Sequence, residues 1–161
     1  MDTGKDAPPP ERQELQLFQA AEMLLEECRM VLPGIQGLFG FQLIAVFSAQ
    51  FHEMLSRGEQ ELHLLAIALV GLSIALVMAP AAIHRQMDPC EVTREFIRLG
   101  TRLVLWSLAP LAVALCLDFY LVSRVVTGSS AVVAFAAGLG LVFMVLWWVL
   151  PRWMRRRWQR G

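Results

Sequence analysis

Four long stretches of this chain carry no Asp, Glu, Lys or Arg: residues 30–51, 62–84, 103–117 and 125–151. Asp118 interrupts the third, which otherwise continues to Ser123. A helix needs about 20 predominantly apolar residues to cross the hydrocarbon of a bilayer, and a helix satisfies its own backbone N–H and C=O groups there. Each run meets that length, the third once Asp118 is counted within it. The pattern predicts an all-α chain, an integral membrane four-helix bundle with spans at about 31–51, 62–83, 103–123 and 131–150. Hydrophobic residues make up 57% of the chain, above the roughly 45–50% usual in soluble domains. The excess lies in these blocks.

Residues 1–10 (MDTGKDAPPP) read as a disordered start with a short polyproline stretch. From Glu11, residues Leu15, Phe18, Ala21, Leu24, Leu25 and Cys28 recur at helical spacing with acids between them. This predicts an N-terminal amphipathic interfacial helix over 11–30, with a bend at Pro33 before the first span. Asp88-Pro89-Cys90-Glu91 reads as a helix start with a capping box, running on into the third span. Thr127-Gly128-Ser129-Ser130 reads as a tight turn. No cleavable signal peptide is visible, because the first apolar run follows some 30 polar or amphipathic residues. The three cysteines Cys28, Cys90 and Cys116 lack disulfide or metal spacing.

The net charge is zero, but the charges are segregated. Lys5, Arg12 and Arg29 precede the first span; Arg85, Arg94, Arg98 and Arg102 lie between the second and third; Arg152, Arg155, Arg156, Arg157 and Arg160 follow the fourth. Only Arg57 and Arg124 fall in the other two loops. Twelve basic residues against two place both termini of this multi-pass membrane protein in the cytoplasm. Trp106, Trp147, Trp148, Trp153 and Trp158 mark that same interface. Arg94, Arg98, Arg102, Arg152, Arg155, Arg156 and Arg157 are the residues expected to meet anionic lipid headgroups. Lipid is the expected partner of the basic tail at 152–161, in preference to nucleic acid.

Small residues recur within the spans: Gly34, Gly37 and Gly40 in the first, Gly71, Ala75 and Ala79 in the second, Ala134 and Gly138 in the fourth. Such faces let helices approach closely, and they are expected to pack the bundle or to form a homo-oligomer face. The acid within a span is Asp118. It reads either as an outer-interface carboxylate reaching water, His52, Arg57 or Arg124, or as a cation- or proton-binding group facing the bundle interior. Gln36 and Gln50 fall within about 40° of each other around the first helix, so they can bond a neighbouring helix or line a polar pathway with Asp118. Glu26, Glu27, Arg29 and Arg85 are expected to form an ion-pair cluster at the cytoplasmic end. His63 and His84 have no partners at metal-ligand spacing, and neither metal nor cofactor is expected. The sequence holds no nucleophile elbow, HExxH motif, phosphate-binding glycine loop or paired intramembrane carboxylates.

Glu26-Glu27-Cys28-Arg29-Met30-Val31, Gly34-Ile35-Gln36-Gly37-Leu38-Phe39-Gly40-Phe41, Phe47, Phe51 and Met78-Ala79-Pro80-Ala81-Ala82-Ile83-His84-Arg85 together resemble an uncharacterised bacterial family of small four-span membrane proteins, a domain-of-unknown-function family. Its pattern is an acid, one residue, Arg-Val, then Gly-x-Gln, an aromatic-rich first span, and Ala-Pro before His-Arg. Here Met30 separates Arg29 from Val31, and Pro33-Gly34 replaces a polar residue and glycine. The resemblance implies a four-helix inner-membrane protein and carries no residue roles. The functional expectation is a non-enzymatic protein acting by helix packing with itself or another membrane protein. The alternative is a small proton or monovalent-cation transporter or transporter subunit.

Overall fold

A computed structural model describes residues 10–87, 93–128 and 132–158. They form α1 (Pro10–Val46), α2 (Ala49–Met54), α3 (Arg57–Gln86), α4 (Arg94–Thr127), α5 (Val132–Met144), a π-helical turn (Val145–Val149) and α6 (Leu150–Trp158). Four stretches are long and apolar enough to cross a membrane: Leu15–Val46, Arg57–Gln86, Arg94–Thr127 and Val132–Arg157. The chain is an all-helical bundle of four such spans.

Heptad-like seams hold the bundle together. Along α3 the buried residues are His63, Ala66, Val70, Ser73, Val77 and Pro80, spaced alternately by three and four. Along α4 they include Phe96, Gly100, Ser107, Leu111, Ala114 and Leu121. On α1 the buried positions are Ala21, Leu24, Cys28, Ile35 and Gln42, again at steps of three, four and seven. A 3.5-residue period keeps one stripe of each helix facing its neighbours. Helix α3 pairs most extensively with α4, α1 lies against both, and α5 packs on α4. In α3, 28% of the most apolar window is buried inside the bundle, against 6% in the α5–α6 span. The fourth span is therefore peripheral, with most of its surface left for lipid or another protein.

Lipid tails are as apolar as leucine, so close packing and interhelical polar bonds decide which faces meet. The seam residues are correspondingly small, with Ala66, Val70, Ser73 and Ala114 fully buried. The Ser73 hydroxyl donates to the Ser107 carbonyl at 2.9 Å across the α3–α4 seam. Gly100 provides the tightest approach: a methyl group there would fall 2.5 Å from Leu24 Cδ2 and 3.5 Å from Pro80 Cβ.

Three expectations need correction. The 11–30 segment is not a separate amphipathic interfacial helix. It is the start of the 37-residue α1, which passes through Pro33 without a break. Leu15 and Phe18 are exposed, while Ala21, Leu24 and Cys28 join the bundle seam. The first span stops at Val46 and does not reach Phe51, because the chain turns at Phe47 and Ser48 into the short α2. Helix α4 does not run on unbroken from Asp88: Thr93 is extended and its hydroxyl caps the helix by accepting from Phe96 N–H at 3.2 Å. The Asp88–Glu91 capping box itself lies outside the described residues. A capping box does occur at Ser56 and Glu59, at the start of α3. Gly128 closes α4 in the left-handed region, at φ 63°, and donates to the Arg124 carbonyl; the remainder of that turn lies outside the described residues.

Candidate functional site

Asp118 lies nine residues before the end of α4, facing α1 and α3. Gln42 Nε2 donates to Asp118 Oδ2 at 2.6 Å. His63 Nδ1 stands 3.8 Å from Asp118 Oδ1. His63 Nε2 bonds the Gln42 backbone carbonyl at 3.0 Å. One carboxylate thus joins α1, α3 and α4 near the end of the bundle that carries α2. The site is enclosed: Gln42 and His63 are buried, and the Phe51 ring from α2 covers the imidazole edge-on at 5.2 Å. The Gln42 Oε1 atom is buried and has no hydrogen-bond partner among the described residues.

These contacts constrain the proton. A backbone carbonyl can only accept, so His63 Nε2 carries the hydrogen. In neutral His63, Nδ1 is then a lone pair facing a carboxylate. The site therefore sets a carboxylate beside an imidazole near the α2 end of the bundle. Below it, toward the other end, the seam is filled by Ala66, Val70, Ala114 and Leu111.

The structure sorts the expected residues unevenly. Asp118 is half-buried and bonded, but to Gln42 and His63 in place of His52, Arg57 or Arg124. Arg124 instead pairs with Glu59 at 3.3 Å and caps the Gly128 carbonyl. Gln36 is exposed on the outer side of α1 and does not join Asp118. The Gln50 side chain falls outside those described. Glu26, Glu27, Arg29 and Arg85 are all exposed, and among the described residues the ion pairs are His63–Asp118 and Arg124–Glu59, so the expected cluster does not form. Arg29 and Arg85 do line one shallow cavity, together with Cys28 and His84. Arg94, Arg98, Arg102, Arg152, Arg155, Arg156 and Arg157 are exposed, and the Arg157 guanidinium lies 4.3 Å over the Trp153 ring. Among the described residues no three His, Cys, Asp or Glu side chains gather as a metal site.

The small-residue faces are also redistributed. A methyl group added at Gly34, Gly37, Gly40 or Gly138 would meet nothing within 4 Å, and Ala75 and Ala134 are exposed. Among the described residues these positions make no close contact within this chain's own bundle, Gly40 being half-buried. Gly71 lies against Phe39, and Gly140 against Cys116 Sγ; with Gly100 they are the glycines that do. Ala79 is half-buried.

The chain belongs to a family of unknown function, DUF6328, whose sequence pattern matches residues 11–151. No curated protein and no solved structure matches it.

Proposed function

Taking that family membership as the premise, we infer that this is a non-enzymatic inner-membrane protein that works by assembling with a second copy of itself in the bilayer. Both termini lie in the cytoplasm, on the side holding twelve of the fourteen Lys and Arg residues. The observation that carries the reading is the unpacked face of α1. At 100° per residue, Gly34, Gly37 and Gly40 fall within about 120° of one another, with the exposed Gln36 at the edge. A glycine facing lipid forgoes the packing that a larger side chain would make. The same glycine facing a second helix allows backbones to approach closely, and a carboxamide there can bond across the contact. The Asp118 site serves as the clasp that fixes α1 against α3 and α4, and hence the direction this face points.

The test is the size of the purified protein in detergent, by light scattering at falling protein-to-detergent ratio. The expected result is a dimer or larger that becomes monomer in Gly37→Leu/Gly40→Leu. A wild-type monomer at every ratio, or a variant oligomer as stable as the wild type, overturns the reading.

A second reading is favoured by the His63–Asp118 pair: a proton- or cation-handling subunit, with the carboxylate loading from the α2 end. Reconstituted vesicles separate the two. Equal background proton flux for wild type and Asp118→Asn removes this second reading and leaves the first intact.

A further inference from the structure

We propose that the groove between α4 and the α5–α6 span is a binding site for one anionic phospholipid. Ahead of α4's apolar stretch stands Arg102; across from it, on α6, stand Arg152 and Arg155. These three arginines and the rings of Trp106, Trp147 and Trp148 line a single cavity of about 450 Å³. This rests on the four-span fold and not on self-association.

The chemistry of the walls selects the ligand. None of the lining residues is acidic, the chain has no Asp or Glu after Asp118, and none of the three arginines forms an ion pair with a carboxylate among the described residues. Three guanidinium groups with no internal counter-anion suit phosphate oxygens, which they can grip in bidentate fashion. The remaining walls are indole and aliphatic, and they suit the glycerol and upper acyl chain of the same molecule. Trp and Arg gather where headgroup meets hydrocarbon. A soluble phosphate satisfies the first set of walls and leaves the second wet; a phospholipid satisfies both.

A backbone irregularity borders the groove. Pro151 has no N–H, and its ring would strike the carbonyl four residues earlier in a regular helix. The chain answers with the π-helical turn Val145–Val149, in which Leu150 N–H reaches back to the Val145 carbonyl. Such turns widen a helix and recur at functional sites. Arg152 Nη1 then donates to the Trp148 carbonyl at 3.1 Å, which holds the guanidinium against the groove while its other donors stay available.

Native mass spectrometry of the full chain, released from detergent with defined lipids, tests this. Phosphatidylglycerol is expected to remain bound as one copy per chain, and phosphatidylcholine to be stripped. At about a fivefold contribution per arginine, Arg102→Gln/Arg152→Gln/Arg155→Gln should weaken retention on the order of 100-fold. The control Arg29→Gln/Arg57→Gln/Arg85→Gln removes as many charges, all at exposed positions outside this groove, and should retain the lipid. Equal retention by both variants, or displacement of the lipid by millimolar glycerol phosphate, overturns the proposal. A measurement on the wild type needs no variant to fold. Brominated phosphatidylglycerol should quench tryptophan fluorescence more than brominated phosphatidylcholine at equal mole fraction; equal quenching counts against the site.

Discussion

If Asp118 is a clasp, Gln42 and Asp118 must be energetically coupled, and the size of the coupling follows from the contact. The Gln42–Asp118 bond is short, at 2.6 Å, and a hydrogen bond to a charged group contributes roughly 1.5–3 kcal/mol. Interhelical bonds measured within membranes are weaker, about 0.6 kcal/mol on average and about 1.7 at most. The buried, unpartnered Gln42 Oε1 also carries a desolvation cost of about 1 kcal/mol that a leucine would relieve. Gln42→Leu should therefore cost only about 0.5–1 kcal/mol. Asp118→Leu strands the whole carboxamide, and should cost about 1–2 kcal/mol. The double variant removes both polar groups together, so its loss should be smaller than the sum by about 0.6–1.7 kcal/mol. The assay is reversible unfolding by sodium dodecyl sulfate in mixed micelles, followed by far-ultraviolet circular dichroism. Losses that add to within about 0.3 kcal/mol would refute the clasp, because independent sites add that way.

Three further substitutions check the packing by the same unfolding assay. Gly100→Leu should destabilise by about 1–3 kcal/mol through overpacking against Leu24 and Pro80, and Leu24→Ala in the same chain should recover part of that loss. Gly128→Ala should cost about 1–2 kcal/mol, since it forces an L side chain into the left-handed region. Arg124→Ala should change stability by less than about 0.5 kcal/mol, because Arg124 is 44% exposed and Glu59 is already held by Ser56.

The spans are legible in the sequence because lipid imposes a length and a charge rule that any reader can apply. Asp118 is legible for the same reason: an acid inside an apolar run must find partners. Which partners it finds depends on helix phase, and that phase runs through the whole of α1. Cys28, Ile35 and Gln42 are seven residues apart on one seam, whereas Gln36 is exposed on another face of α1 and Gln50 lies past its end, in α2. Counting sevens from Cys28 selects Gln42. His63 is equally accessible, as the first member of the alternating three-four stripe on α3. The glycines cannot be sorted this way. Gly37 and Gly100 look alike in sequence, and only the arrangement of neighbouring helices decides that Gly100 meets Leu24 and Gly37 meets nothing. Pro33 misleads about the interfacial helix because it suggests a bend. In a helix flanked by others a missing N–H can be tolerated, and α1 continues through it.

The central claim is that the spans cross lipid in the order given, with α2 on one side and the α3–α4 connection on the other. Cysteine accessibility in intact cells measures this most directly. In a chain carrying Cys28→Ala, Cys90→Ala and Cys116→Ala, a membrane-impermeant maleimide added from outside should label Gly58→Cys, at the start of α3. It should reach Met87→Cys, at the end of the same helix, only after the membrane is opened. Labelling of both positions in sealed cells, or recovery of the protein in the soluble fraction, would contradict the four-span bundle and everything built on it.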